Sequence, residues 1–382
     1  MHTEIHDAES LLEHITAAGT LADCVLQGLD LTGRVQELQA VELSGAIFLG
    51  CRLTPEEAFD IQARGAVLFP TLPDLPFEAF RPKLYDPKEL FAGFDPANPD
   101  TYCDTPDALI YRHWQATGGA KPAHLMEALA RRLHDLSMTD GIEDLLEPLN
   151  SPVVAFMGGH SMRRDDASYA VVAQAAQALA EQNWLIVTGG GPGAMEAGHL
   201  GVWLAGRSAE DRMQAIARLS QAPHYRDREW LAAAFAVRDA FPRVRDTPSL
   251  GIPTWLYGHE PPNPFPSHVA KYFANSVRED GLVTVASHGI VFAPGSAGTV
   301  QEVFQDACQN HYASTGFNTP MVFLDRSFWT EKMPVVDMLH RIAGDADWTR
   351  FVGLADTAEE VVDFLEAHPP EANASGSWSF CS

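Results

Sequence analysis

Basic residues are scarce in this 382-residue chain, and long apolar runs are lacking. Lysine and arginine together number 26, against 51 aspartates and glutamates, so the formal net charge is −25. A surface of that sign repels polyanions, and we therefore expect no nucleic-acid partner. No apolar stretch in the sequence approaches the roughly 20 residues of a membrane-spanning helix, so we expect no membrane partner either.

Cysteine is also scarce, with five residues in the whole chain and no C-x-x-C spacing. An odd, scattered set favours neither a disulfide framework nor a zinc site, so we expect no metal. The first ten residues, MHTEIHDAES, carry acidic residues where a signal peptide carries basic ones. Together these features predict a cytoplasmic protein.

Near Ser151 the sequence changes: short apolar runs followed by glycine turns begin there, after a part that includes a proline-rich stretch. We predict an N-terminal α/β region with a proline-rich connecting arm over residues 1–149, serving assembly or regulation. A nucleotide-binding catalytic domain is expected over 150–370 and a flexible tail over 371–382. Within the first region we predict strands at 46–50 and 66–70, a capped helix beginning after Thr54, the arm over 70–106, and two successive helices between 124 and 149.

Short apolar runs followed by glycine turns and helices recur in the second part of the chain. Residues 152–157 lead into Gly158 and Gly159, residues 184–187 lead into Gly189 to Gly193, and residues 290–293 lead into Pro294 and Gly295. This order is typical of an α/β, doubly wound, Rossmann-like parallel sheet with helices on both faces, whose ligands bind at the carboxyl ends of the strands. Further strands are predicted at 254–257 and 321–324, with Trp255 and Tyr257 in the core.

The third of these turns has the features of an anion site. Its residues, Gly295 to Gly298, are small enough for a ligand to approach the backbone, and Thr299 begins a helix whose free N–H groups suit a phosphate. Glu302 lies one turn into that helix. From the residues alone, a capping charge and a catalytic carboxylate in a phosphate-occupied crevice are equally good interpretations of Glu302.

A second helix is predicted from Ser267 to near Gly281. Val269, Phe273 and Val277 recur at intervals of four and form one apolar face, while Lys271, Asn275 and Arg278 fall on the opposite side. Taken by itself, the polar side of this helix is best interpreted as a solvated face.

The glycine turns and the segment carrying Arg278 resemble the LOG family, also called lysine decarboxylase-like, whose characterised members are nucleoside 5'-monophosphate phosphoribohydrolases. The family has a GGG turn after its second strand, a Met-x-x-Arg-Lys helix, and P-G-G-x-G-T-x-x-E. Here these motifs correspond to Gly189 to Met195, to the segment around Arg278, and to Pro294 to Glu302, within about residues 150–370. The turn at Gly191 to Glu196 is similar to that of the longer bacterial branch, which hydrolyses mononucleotides.

The resemblance implies a reaction and a set of site residues. The reaction is hydrolysis of a mononucleotide to free base and ribose 5-phosphate, with Arg278 and Glu302 as the catalytic pair, no cofactor, and a homodimer or larger homo-oligomer. The implied nucleotide-binding residues are Gly190, Gly191, Gly193, Met195, Glu196, Gly295, Ser296, Ala297, Gly298 and Thr299. Gly159, Ser161, Lys271 and Asn275 are further candidates. His160, Ser161 and Arg163 follow the strand at 152–157 closely enough to reach the same crevice, but a lone histidine or serine in a loop is usually only a turn residue.

The sequence departs from the family pattern at two of these motifs. Ser296 stands where the family has glycine, which is tolerated only if φ is negative there. The arginine segment, Asn275 to Glu279, lacks the family's methionine and lysine, so Lys271 stays an alternative to Arg278. His259, Glu260 and His268 match no standard zinc spacing, and no segment has the features of a pyridoxal phosphate site.

Two other functions compete with hydrolysis. A non-catalytic nucleotide or phosphorylated-cofactor carrier on the same fold would bind without cleaving, and would not require Arg278 and Glu302 to face one crevice. A nicotinamide dehydrogenase is disfavoured, because neither glycine turn supplies G-x-G-x-x-G with an acidic residue about 20 positions later.

Overall fold

The computed structural model describes residues 3–372, and the chain divides into two compact units. Unit 1 comprises Met1–Leu84 and His113–Leu145, and unit 2 comprises Tyr85–Arg112 and Leu146–Ser382. Most of the predicted tail, residues 373–382, lies outside the described residues. The role of the N-terminal region in assembly or regulation stays a prediction. In the described part of the chain, no helix is long and apolar enough to cross a bilayer.

Unit 1 contains a four-stranded parallel sheet whose strands lie side by side in chain order. Its strands and first helices are β1 (Thr3–Ile5), α1 (Ala8–Ala18), β2 (Cys24–Gln27), α2 (Val35–Leu38), β3 (Ile47–Leu49), α3 (Pro55–Ala63) and β4 (Val67–Phe69). The strands predicted at 46–50 and 66–70 are confirmed. The predicted start of α3 is confirmed as well, because Thr54 and Glu57 form a reciprocal capping box.

The segment between β4 and unit 2's main sheet is more helical than predicted. It contains α4 (Pro87–Leu90), a 3₁₀ turn at Pro99–Asp104, α5 (Pro106–Ala116) and α6 (Leu125–Leu146). The prediction of two helices between 124 and 149 was wrong, because α6 is one 22-residue helix. Gly141 lies inside α6, and a Cβ there would come within 2.9 Å of the Leu84 side chain. The glycine is therefore a packing position and not a terminus.

Unit 2 is built on a seven-stranded sheet in the order β12-β11-β9-β5-β6-β7-β8, with every neighbouring pair parallel. The strands are β5 (Val153–Met157), β6 (Leu185–Thr188), β7 (Ser249–Gly251), β8 (His268–Val269), β9 (Ile290–Phe292), β11 (Met321–Leu324) and β12 (Val352–Ala355). In register, Val291 lies between Phe156 and Val322. A separate antiparallel pair joins β10 (Phe317–Asn318) to β13 (Glu371–Ala372).

Helices cover both faces of this sheet, which confirms the predicted fold class. They are α7 (Ala167–Glu181), α8 (Ala194–Trp203), α9 (Ala209–Leu219), α10 (Trp230–Ala240), α11 (Asn275–Val285), α12 (Ala297–Tyr312), α13 (Val335–Ala343) and α14 (Ala358–Ala367). Because both faces are covered, the central strands are continuous apolar runs, and Val153 to Met157 are all buried. Helices α7 and α8 pack closely through small residues such as Ala173, Ala176 and Gly201.

The strand order creates a switch point beside β5. From β5 the chain adds β6, β7 and β8 on one side, then returns to add β9, β11 and β12 on the other. The connections after β5 and after β9 therefore leave in opposite directions, and a crevice opens at the carboxyl ends of these two strands. In doubly wound sheets this is the position at which ligands bind.

Two sequence predictions in unit 2 were wrong. The strand expected at 254–257 is a 3₁₀ turn over Trp255–Tyr257, and β7 lies a few residues earlier. The helix expected from Ser267 begins only at Asn275 and continues to Val285. The reason is the sheet edge: the backbone N–H groups of Ala270 and Tyr272 donate to the carbonyls of Gly251 and Pro253. These ladder hydrogen bonds hold residues 268–272 extended despite their helical spacing.

The close contact between α7 and α8 predicts opposite effects for two glycine-to-alanine changes. A Cβ at Gly201 would lie 2.3 Å from the Ala173 carbonyl oxygen, whereas a Cβ at Gly281 in α11 meets nothing within 4 Å. We expect Gly201→Ala to lower the free energy of unfolding by about 1–3 kcal/mol. Gly281→Ala should raise it by roughly 0.5–1 kcal/mol. Urea denaturation followed by circular dichroism measures both, and equal effects of the two changes would contradict the packing described here.

Candidate functional site

Three glycine turns meet at the carboxyl edge of β5, β6 and β9. The Gly159 N–H donates to the Pro294 carbonyl at 3.0 Å, and the Ala194 N–H donates to the Gly159 carbonyl at 3.3 Å. Gly193 has φ 70°, and a Cβ there would lie 2.3 Å from the Gly159 oxygen. Glycine is therefore required at 193 both by backbone conformation and by the close approach of the turns.

A cleft of about 390 Å³ opens at these turns, within the range of small-molecule sites. Gly158, Gly159 and Met195 form part of its lining. The remaining lining residues fall into two groups, which we name by their composition. The arginine–acid group consists of Arg278, Glu279, Ser296, Gly298, Thr299 and Glu302. The histidine–tyrosine group consists of His160, Tyr225, Arg226, Tyr257, His259 and Glu260.

Arg278 is held in the cleft by one hydrogen bond to the main chain and by an ion pair. Its side chain is buried, its Nε donates to the Ile252 carbonyl at 2.8 Å, and its Nη1 lies 3.7 Å from Oε1 of Glu302. A Cβ at Gly189 would lie 2.1 Å from Nη2 of Arg278. The glycine turn after β6 thus makes the space that the guanidinium occupies.

Glu302 lies in the second turn of α12 with only 14% of its side chain exposed. Burial raises the pKa of this carboxyl from 4.5 to about 7, the nearby Arg278 charge opposes that rise, and the Glu279 charge adds to it. Glu279 is itself fixed, since it accepts hydrogen bonds from Asn275 at 2.6 Å and Gln301 at 3.0 Å. At neutral pH Glu302 is therefore able either to accept or to donate a proton.

The turn between β9 and α12 has the geometry of an anion site. Ser296 has φ −118°, so the condition for serine in place of glycine is met. A Cβ at Gly295 would lie 2.1 Å from Oγ1 of Thr299, so the Thr299 side chain folds back over the turn. Helix α12 begins at Ala297, which directs the free N–H groups of its first turn toward the same region.

The structure brings eight of the residues that the sequence analysis considered for the crevice to the cleft: Gly159, His160, Met195, Arg278, Ser296, Gly298, Thr299 and Glu302. Other predicted residues lie outside this lining. A Cβ at Gly190 would collide with the Pro253 ring, and Asn275 donates a hydrogen bond to Glu279 of the cleft lining. Gly191, Gly193, Gly295 and Ala297 supply the backbone of the turns, and Ser161 lies outside the lining.

Glu196 does not line the cleft. It is fully buried and accepts two hydrogen bonds from Arg164, from Nε at 2.9 Å and from Nη2 at 2.5 Å. The Tyr169 hydroxyl donates to the same carboxylate at 3.0 Å. These contacts join α8 to α7 and to the loop before α7. Glu196 therefore binds Arg164 and Tyr169 within the fold, whereas the resemblance implied that it contacts the nucleotide.

Lys271 is also occupied elsewhere. The predicted polar helix face does not exist there, and Lys271 is buried in an ion pair with Asp107. Its Nζ lies 5.2 Å from the Trp255 ring centroid, and Asp107 also accepts from the Tyr102 hydroxyl at 2.9 Å. Burial lowers the pKa of Lys271. Of the two basic candidates, Arg278 alone lines the cleft.

The sequence analysis named only some members of the histidine–tyrosine group. Glu260 lies 3.6 Å from Nε2 of His160 and 3.7 Å from Nε2 of His259, and the His160 ring packs edge-on against Tyr225 at 5.6 Å. The placement of Tyr257 in the core was wrong, since 47% of it is exposed, whereas Trp255 is buried as predicted. Tyr225 and Arg226 come from the irregular segment between α9 and α10, where no spacing or motif signals a site.

The donor set of this group does not form a metal centre. Within residues 3–372, the set of histidine, cysteine and carboxylate ligands that comes within 4.8 Å of one another is Glu4, His6 and Asp144 of unit 1, all at least partly exposed. His160, His259 and Glu260 are spread more widely. Their arrangement suits hydrogen bonding to an organic ligand.

Comparisons with known proteins give distant structural similarities. No protein-family profile and no curated protein matches the chain. The molybdenum cofactor binding protein from the phototrophic bacterium Rippkaea orientalis is similar at 13% identity and a TM-score of 0.37, over 57% of this chain and 97% of that one. The molybdenum cofactor carrier protein from Chlamydomonas reinhardtii is similar at 14% identity and 0.32, over 57% and 98%. TM1055 is similar at 20% identity and a TM-score of 0.33, over 56% of this chain and 99% of that one. Such similarities concern the fold alone.

The raised pKa of Glu302 predicts a pH-dependent gain in stability on its removal. The neutral carboxyl is favoured in the folded state, so its contribution is fully present below pH 4.5 and is lost as pH rises through about 7. Relative to wild type, Glu302→Gln should therefore become more stable between pH 5 and pH 8, by on the order of 2–3 kcal/mol. Urea denaturation at both pH values measures this.

Glu366→Gln, an exposed change in α14, is the control and should show no such trend. A stability difference for Glu302→Gln that does not change with pH would refute the buried ionisation.

Proposed function

We propose that this protein hydrolyses the N-glycosidic bond of a nucleoside 5'-monophosphate, releasing the free base and ribose 5-phosphate. The observation that carries the proposal is the placement of Arg278 and Glu302 in one cleft, 3.7 Å apart, at the switch point of the sheet. These are the residues that the resemblance to the LOG family implies as the catalytic pair. A turn suited to phosphate lies directly beside them.

The phosphate would bind at the start of α12. The N–H groups of its first turn and the hydroxyls of Ser296 and Thr299 are the donors available there. In a chain with a net charge of −25, this helix end and the guanidinium of Arg278 supply local positive potential. A site of this kind favours the monophosphate over the free nucleoside, because the phosphate provides most of the charged contacts.

Glu302 and Arg278 would carry the bond cleavage. Hydrolysis of a glycosidic bond passes through an oxocarbenium-like sugar that is attacked by water. Ionised Glu302 would accept the proton from that water, and its negative charge would offset the positive charge developing on the ribose. Arg278 would orient the ribose hydroxyls or the phosphate through its planar fork. A base with a pKa of about 7 is well matched to this task near neutral pH.

The competing function is a non-catalytic nucleotide carrier. Such a protein needs a phosphate site but no buried carboxylate beside an arginine, because a charged group in a closed crevice costs stability. The position and pKa of Glu302 therefore favour the enzyme. The expected homodimer or larger assembly, the cytoplasmic location and the absence of nucleic-acid and membrane partners stay predictions.

Base release from AMP, GMP, CMP and UMP tests the function directly. We expect wild-type protein to liberate free base, detected by chromatography, and the rate to fall as pH drops below about 7, because Glu302 acts in its ionised form. Glu302→Gln should lower the rate by about 10²–10⁴-fold, the usual contribution of a general base.

Glu366→Gln is the matched control, since the same chemical change on the exposed face of α14 should leave the rate unaltered. If wild type releases no base while a mononucleotide still raises the melting temperature, the carrier function replaces the enzyme.

A further inference from the structure

We propose that His160, positioned by Glu260, is the general acid that protonates the departing base. This assignment rests on the proposed function, because it gives the histidine–tyrosine group a role in the same reaction. It places the nucleobase against His160 and Tyr225 and leaves the phosphate at the start of α12.

The backbone next to His160 is hydrogen-bonded to the turn that follows β9. His160 directly follows Gly158 and Gly159. The Gly159 N–H donates to the carbonyl of Pro294, at the beginning of the turn between β9 and α12, which we call the phosphate turn. The His160 ring packs edge-on against Tyr225, and 44% of its side chain, which lines the cleft, is exposed. The imidazole is therefore fixed relative to the phosphate turn and still accessible to a ligand.

Glu260 provides the orienting contact. Only 12% of its side chain is exposed, and its carboxylate lies 3.6 Å from Nε2 of His160. The Glu260 N–H donates to the Tyr257 carbonyl at 2.9 Å, which fixes the loop that carries it. The separation from His160 is within the range of an ion pair and longer than a hydrogen bond, so the carboxylate, held on a fixed loop beside Nε2, favours one orientation of the ring.

The chemistry of the leaving group explains why an acid is needed. When the bond from C1' of the ribose to the base nitrogen breaks, its electron pair goes to the base, which leaves poorly as an anion. A proton transferred from the His160 imidazolium to a ring nitrogen of the base neutralises it. At the same time the water oxygen bonds to C1' and its proton passes to Glu302. Proton exchange with solvent then restores both groups, so atoms and charge balance without any further reactant.

His259 is a weaker candidate for this role. It lies at a similar distance, 3.7 Å, from Glu260, but 60% of its side chain is exposed and it belongs to the long loop between β7 and β8. It does not share the backbone link to the phosphate turn that holds His160. A ring without this anchor is less suited to delivering a proton at a fixed position.

Two substrates with different leaving groups test the assignment. AMP needs its base protonated, whereas 4-nitrophenyl β-D-ribofuranoside 5-phosphate releases a stable nitrophenolate without a proton. We expect His160→Gln to lower kcat/KM for AMP by about 10²-fold or more, and for the nitrophenyl substrate by less than about fivefold. Glu260→Gln should show the same selectivity with a smaller loss, on the order of tenfold, because it acts through His160. Glu302→Gln should lose both activities.

His340→Gln is the control for the histidine change, because His340 is exposed on α13 outside the cleft. It should leave both activities unaltered. Equal losses on the two substrates in His160→Gln, or no loss on either, would overturn the assignment while leaving the proposed function intact. Wild-type protein that cleaves neither substrate would overturn the proposed function, and this assignment with it.

Discussion

The close approach of three backbone turns at the carboxyl edge of the unit 2 sheet is the constraint on which the site depends. The Arg278 guanidinium occupies the space that a side chain at Gly189 would fill, and the Thr299 hydroxyl occupies the space beside Gly295. A Cβ at Gly193 would press into the Gly159 carbonyl. Each glycine thus admits a functional group or another strand's turn, and the strand order decides that all of them meet at one crevice.

Within that crevice, stability and chemistry oppose each other. Burial disfavours the ionised form of Glu302, and the neighbouring Glu279 charge disfavours it further. Arg278 offsets only part of that cost at a separation of 3.7 Å. A fold selected for stability alone would place a neutral side chain at 302. A carboxylate kept there despite its cost, with a pKa near neutrality, is what a general base requires.

Local signals in the sequence were sufficient for the repeated strand, turn and helix units and for the Thr54 cap, because glycine turns and capping boxes depend on neighbouring residues. They failed where tertiary contacts decided the outcome. The spacing of Val269, Phe273 and Val277 predicted a helix, but pairing with β7 holds residues 268–272 extended. Glu196 and Lys271 carried the right chemistry for a ligand, yet their partners Arg164 and Asp107 lie far away in sequence. The loop contribution of Tyr225 had no local signal at all.

The most direct test of the proposed site is a crystal structure of Glu302→Gln with AMP bound. We expect the phosphate on the N–H groups at the start of α12, with C1' of the ribose beside residue 302 and the base against His160. A nucleotide bound with its phosphate away from Ser296 and Thr299, or with C1' remote from residue 302, would contradict the proposal.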